Sequence, residues 1–326
     1  MTTDECVGWE DPAFPGTELS LISHLLFLYT RAAGLLPQQA LGYVALSTTS
    51  IVVIDRCNTF YAMGTCLGDD VPPEGLWNSC AGGAFNYWPH PTIAPLLVGF
   101  QISQVSLGAE HVLALTTDGK LATWGNNACG QLGVQRVSPW IVRPVLNPAG
   151  VGMRFIGVAA GNSHSAVLTT GNHVLTCGSL SHRQLGRPAV RWCTGTYPSV
   201  HGDPNKVDSV FGMVLDLRDD ILTSVSACCD TTLMMTNDGQ VYSDGVTMQS
   251  TGELGAPGPF VSAFSPFPLP FELPFRATIT CIAAGSSHSA LSDSNGRMWV
   301  VGFNEKEQLG SGNTELARVP QVVGAM

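Results

Sequence analysis

The chain has 326 residues, 44% of them apolar and only 12% charged, which is the balance of a protein that buries a large core and excludes a disordered one. Its 15 Lys and Arg against 25 Asp and Glu give a net charge of −10, a sign that repels a phosphate backbone and argues against direct nucleic-acid binding. The ten cysteines are irregularly spaced, with no C-x-x-C, no signal peptide and no N-x-S/T acceptor, and the apolar run Leu19 to Leu28 is too short to span a bilayer; the expectation is an intracellular, monomeric protein, cytoplasmic or nuclear, not secreted and without a membrane span.

Residues 1–41 form a divergent N-terminal segment. Thr17 suits the cap of a short helix to about Ala33, stopped by Gly34 and Pro37, with a divergent strand pair as the alternative. From residue 42 onward the chain repeats itself, and repetition at several tens of residues marks a stacked architecture. The first copy, VALSTTSIVVIDRCNTFYAMG (Val44 to Gly64), is a weak one, with Ser50 where later copies place His.

The second copy, VSLGAEHVLALTTDGKLATWGNNACGQLG (Val105 to Gly133), sets the pattern through Gly108, His111, Gly125, Leu132 and Gly133. Its HVLALTT run is apolar at successive positions, so both of its faces need cover, and Asp118-Gly119 favours a tight turn into KLATW. The third copy, Val158 to Gly186, keeps the spacing through Gly161, His164 and Gly178, with Gly171-Asn172 at the turn.

The fourth copy, Val225 to Gly245, has Thr231 in place of His and the vicinal pair Cys228-Cys229 at small inner-strand positions. That pair reads as packed thiols, or as a redox or metal feature. An insert follows from Gly255 to Pro274, with Phe260, Phe264, Phe267 and Phe271 set among prolines; it is too stiff for strand pairing and too apolar for a free tail, so it either packs on the domain or meets a partner. The fifth copy, Ile282 to Gly310, restores Gly285, His288 and Gly302. Small residues such as Ala159-Ala160-Gly161 and Ala283-Ala284-Gly285 lead each hairpin and suit an innermost strand beside a central channel.

G-x-x-H, an apolar strand, a D-G turn, W-G-x-N and G-Q-L-G together resemble the repeat of the regulator of chromosome condensation family. That resemblance covers residues 42–326 and implies an all-β fold, a β-propeller with five recognisable repeats against the seven blades usual in the family, so the ring is either incomplete or closed by divergent blades. The insert and the stretch LGAEHVLAL (Leu107 to Leu115) are similar to the small single-domain member that partners a jumonji-type oxygenase. The resemblance therefore implies a non-enzymatic scaffold that binds and regulates such an oxygenase in a chromatin or chromosome-segregation setting. Guanine-nucleotide exchange on a small GTPase is the alternative.

No catalytic residue, cofactor site or metal site is expected. Equivalent histidines on successive blades should lie about 10 Å apart, too far to share an ion. Ser163-His164-Ser165 and Ser287-His288-Ser289 place neighbours on opposite faces of a strand, which rules out a nucleophile–base pair within each triplet. The nucleophile-elbow, phosphate-loop, H-E-x-x-H and dinucleotide frames are absent. Gly108, His111, Gly125, Gly161, His164, Gly178, Gly285, His288 and Gly302 are expected to be structural. Trp140 and Trp192, read as inter-repeat loop residues, join the four insert phenylalanines as candidate partner contacts.

Overall fold

The computed structural model describes residues 41–47, 50–55, 60–64, 88–93, 101–134, 140–146, 153–187, 207–214, 217, 219–245, 267–268 and 277–323. These residues build five four-stranded antiparallel sheets, each a simple meander in chain order. The first blade is β1 (Leu41–Leu46), β2 (Ser50–Asp55), β3 (Phe60–Gly64) and β4 (Trp88–Ile93). The second is β5 (Ile102–Leu107), β6 (His111–Thr116), β7 (Leu121–Asn126) and β8 (Trp140–Leu146), and the third is β9 (Phe155–Ala160), β10 (His164–Thr169), β11 (Val174–Ser179) and β12 (Val207–Met213). The fourth is β13 (Leu222–Cys228), β14 (Thr231–Thr236), β15 (Val241–Gly245) and β16 (Phe267–Pro268), and the fifth is β17 (Ile279–Ala284), β18 (His288–Asp293), β19 (Met298–Gly302) and β20 (Ala317–Val322).

The predicted hairpins are present. Asp118-Gly119 joins β6 to β7, with Gly119 at φ 79°, and in the third blade Asn172 carries the positive φ, 61°. Thr116 closes the first of these turns: the Lys120 amide donates to its hydroxyl at 2.8 Å, and that hydroxyl donates onward to Asp118. Thr236 and Asp238 repeat the arrangement in the fourth blade.

The continuous apolar strands are covered on both faces. Every residue of β6, β10 and β14 is buried. Leu113, Leu115 and Leu121 pack on Phe155 and Val167 of the next blade; Ala166, Leu168 and Val174 pack on Leu222 and Met234; Leu233, Met235 and Val241 pack on Ile279, Leu291 and Trp299. Each Leu, Val, Ile, Phe or Met among these contributes about 1.5–3 kcal/mol on full burial. In the fifth blade the same three positions hold Ala290, Ser292 and Met298, and β18 alternates buried with half-buried residues. Its face toward the fourth blade is built as an interior one, and its other face is smaller and more polar.

Two expectations need correction. Trp140 opens β8 instead of lying in a loop, its Cα paired with Asn126. The insert was read as too stiff for strand pairing, yet Phe267 and Pro268 pair with Ser243 and Tyr242 as β16. In both cases the outermost strand is involved, where proline is tolerated because the outward amide needs no ladder partner. The sequences WPHPTI, WIVRPVL, FP and ARVPQV of β4, β8, β16 and β20 each carry at least one.

Candidate functional site

The repeated glycine and histidine form one local unit. Gly108 donates its amide to the carbonyl of His111 at 2.9 Å, which folds the strand end back so that the imidazole lies against the glycine; a Cβ there would meet His111 Cε1 at 2.2 Å. Gly161 with His164 and Gly285 with His288 repeat this. At the close of each hairpin Gly125, Gly178, Gly245 and Gly302 adopt φ between 102° and 122°, and a side chain there would run into the carbonyl of Glu110, Ser163, Asp230 or Ser287.

The histidine then reaches into the next blade. His111 Nε2 lies 2.9 Å from Ser165 Oγ, and Ser165 donates its hydroxyl proton to the carbonyl of Gln131 at 2.6 Å. His164 Nε2 lies 2.8 Å from Thr232 Oγ1, which donates to the carbonyl of Gln184 at 2.7 Å. A hydroxyl has one proton and spends it on the glutamine carbonyl, so the imidazole is the donor to that hydroxyl and the proton sits on Nε2. All four side chains are buried. Burial holds His111 down to about pKa 4; burial and the neighbouring His111 hold His164 at about 3, so both rings are neutral.

Closer to the axis, the inner strands are tied by backbone amides. Ala160 N donates to Ser106 Oγ and Ala284 N to Ser226 Oγ, each at 2.9 Å. Between the third and fourth blades Ala159 stands at the serine position. There Asn162 N donates at 2.8 Å to the carbonyl of Cys229, which is turned toward it by a left-handed conformation, φ 46°. The inner strands surround a cavity of about 280 Å³ whose lining includes Ser47, Ser106, Asn162, Cys228, Cys229 and Ser286, contributed by all five blades. Cys228 and Cys229, read from sequence as packed, are half-buried and open on this space.

At the rim of the third and fourth blades, Asp230 accepts from Gln184 Nε2 at 3.1 Å and pairs with His182 at 3.2 Å; in the second blade Asn126 donates to Glu110 at 2.6 Å. Two buried acids had no sequence signal. Asp208 holds Arg187 at 2.7 Å, both almost fully buried, and Arg187 also donates to Thr176. Asp244 is buried, takes the Gly245 amide at 2.8 Å on one oxygen, and its Oδ2 has no hydrogen-bond partner among the described residues; burial raises its pKa to about 7. Among the described residues no three His, Cys, Asp or Glu side chains gather to hold a metal ion, and no helix is long and apolar enough to cross a membrane.

The structural positions expected from sequence are thus brought together as Gly–His units and inter-blade latches. The proposed partner contacts are not: Phe260, Phe264, Phe271 and Trp192 lie outside the described residues, while Phe267 and Trp140 stand on the outer strands β16 and β8. The histidine–hydroxyl pairs were missed because their partners are 54 and 68 residues away. The signal was present nonetheless, since His111 and His164 are each followed one repeat later by a hydroxyl residue, Ser165 and Thr232.

Comparison with known proteins gives one family. The model described as "Regulator of chromosome condensation (RCC1) repeat" matches residues 102–131, 155–184 and 279–308, and a second model of the same description matches 118–168. The probable E3 ubiquitin-protein ligase HERC4 of Homo sapiens is 31% identical over 235 residues, covering 70% of this chain and 20% of that protein. The RCC1 domain-containing protein 1 of Mus musculus is 28% identical over 220 residues, 68% of this chain and 48% of its own length. The chain therefore spans about a fifth of the ligase and about half of the mouse protein. Among solved structures, human WBSCR16 superposes with a TM-score of 0.68 at 20% identity, covering 87% of this chain and 67% of that one. Prp20p from Saccharomyces cerevisiae, described with its binding properties to Gsp1p and histones, gives 0.66 at 20% identity over 87% and 63%.

Proposed function

The chain carries regulator of chromosome condensation repeats and folds as a propeller of that type, and from that premise we propose that it is a non-enzymatic protein-interaction scaffold. The observation that carries this reading is the fate of its histidines. His111 and His164, the groups best suited to acid–base chemistry, are neutral, buried and spent on holding one blade to the next. A frame locked in this way suits the presentation of loops, and propellers place many loops on one support.

The partner is a protein, and the reading favoured by resemblance is a jumonji-type oxygenase in a chromatin or chromosome-segregation setting. Of the two stretches that carry that resemblance, Leu107–Leu115 runs largely through the buried β6 and serves the frame. The insert Gly255–Pro274 is left as the segment to contact the partner. A second reading, nucleotide exchange on a small GTPase, is supported by the fold shared with Prp20p, described with its binding to Gsp1p.

Mixing the purified chain with a purified jumonji-type oxygenase, alongside a variant lacking 255–274, tests the first reading. Binding by the intact chain and its loss in the variant support it. No binding to the oxygenase, together with accelerated nucleotide release from a small GTPase, replaces it with the second.

A further inference from the structure

We propose that Cys228 and Cys229 form a chelating dithiol at the central channel, a site for one trivalent thiophilic centre of the arsenical type. The inference is independent of the partner reading and rests on what the fourth repeat changes. In the other complete repeats the position of Cys228 is Gly108, Gly161 or Gly285, and a Cβ there would strike a histidine ring at 2.1 to 2.5 Å. The fourth repeat replaces both members of the unit at once. Thr231 stands where the ring was, so no imidazole opposes a side chain at position 228.

The next residue adds the second thiol. Cys229 occupies the place of Ala109, Asn162 and Ser286 and takes a left-handed backbone conformation, φ 46°, against the usual preference of a side-chain-bearing residue. Its carbonyl is committed to Asn162 N, and that contact holds the turn in place. Both cysteines contribute surface to the same cavity of about 280 Å³, whose other lining residues are mostly Ala, Gly and Ser, with Val105, Leu107 and Asn162. The cavity thus has the volume for a small aryl group beside the two cysteines.

Other described cysteines lack this arrangement. Cys177 is fully buried and burial pushes its thiol well up; the Cys129 thiol is also raised, first by burial; and Cys281 is exposed on β17 without a neighbouring cysteine in sequence. Adjacent cysteines that line one cavity can bind a trivalent arsenical through both thiols by condensation. Two As–S bonds form, the arsenic–oxygen bond breaks, and the two thiol protons leave with that oxygen as water. Arsenic remains trivalent, so no oxidant or reductant is needed.

Phenylarsine oxide added to the full-length chain is the probe. One equivalent should resist washing with a monothiol and be released by a dithiol, and tandem mass spectrometry should place the adduct on the Cys228-Cys229 peptide. Cys228→Ser and Cys229→Ser should each abolish that equivalent. The double variant Cys228→Gly/Thr231→His, which rebuilds the Gly–His unit of the other repeats, should abolish it while retaining the β-sheet circular dichroism of the parent. An adduct mapped to any other cysteine pair, or full dithiol-reversible binding retained in the double variant, overturns the proposal.

Discussion

Gly161 and His164 occupy each other's space: a Cβ on the glycine would fall 2.1 Å from Cε1 of the ring and 2.6 Å from the carbonyl of Cys229 in the next blade. One of these neighbours is a side chain, the other backbone. Gly161→Ala should therefore cost about 3 kcal/mol, at the upper end of ordinary overpacking. His164→Thr should not restore the lost stability, because the carbonyl remains.

Gly285 is the contrasting case, since its three nearest neighbours are all atoms of the His288 ring, and that ring is half-buried. Gly285→Ala should cost only about 1 kcal/mol, and His288→Thr should recover most of it. Denaturant unfolding of the four single variants and two double variants checks the ordering. Equal costs at Gly161 and Gly285 would contradict the argument.

The inter-blade latch is tested at its hydroxyl. Ser165→Ala leaves the His111 Nε2 proton and the Gln131 carbonyl buried without their shared partner, which should cost about 1–3 kcal/mol. Thr232→Ser keeps the hydroxyl that joins His164 to Gln184 and should lose about 1 kcal/mol, the cost of a buried methyl. If Thr232→Val proves no worse than Thr232→Ser, the hydroxyl is not the element that matters.

What was legible in the sequence and what was not divides along the same line. Asp118-Gly119 and the apolar β6 announced a hairpin covered on both faces because turn chemistry and burial are written locally. The latches depend on how one repeat stacks on the next, and only comparison between repeats reveals them. Four of the five outer strands, β4, β8, β16 and β20, were hidden by prolines, and Trp140 was read as a loop residue because β8 lies beyond the G-Q-L-G that ends the recognisable motif. Asp208 and Asp244 carried no pattern at all, since neither position recurs among the repeats as an acid.

The neutral histidines predict acid lability. His111 has a folded pKa of about 4 and His164 of about 3, each below the unfolded value of 6.5, so the unfolded chain takes up their protons first. The stability that depends on neutral rings is fully present above pH 6.5 and drains away as pH falls toward 4 and 3. Thermal unfolding followed across pH 7 to 4 should show a falling midpoint, and His111→Gln should flatten that slope even though it lowers stability at pH 7.

Asp244 acts in the opposite direction. Its folded pKa, raised to about 7 by burial, lies above the unfolded value of 3.8, so the folded state holds a proton that the unfolded state has released. This contribution is present at pH below 3.8 and is lost as pH rises through 7. Asp244→Asn should remove the penalty and raise stability at pH 8 by about 1–3 kcal/mol, with little gain at pH 4. A destabilised Asn variant at pH 8 would mean that the carboxylate is held by a charge, such as Arg183, whose charge acts to lower the Asp244 pKa.

Arg187 and Asp208 bring the end of the third repeat's Q-L-G segment and strand β12 into a single buried contact. Arg187 directly follows the Q-L-G of the third repeat, and Asp208 lies near the start of β12. Their 2.7 Å pair is almost completely shielded, and Gly212 leaves room for the guanidinium, since a Cβ there would come within 2.5 Å of its central carbon. Asp208→Asn or Arg187→Met should each cost about 3–5 kcal/mol, because either leaves one charged or polar partner buried alone. Replacing both, as Arg187→Met with Asp208→Leu, should cost clearly less than the two single changes together, since no buried charge remains. Strict additivity in that double-mutant cycle would show that the two residues stabilise β12 independently.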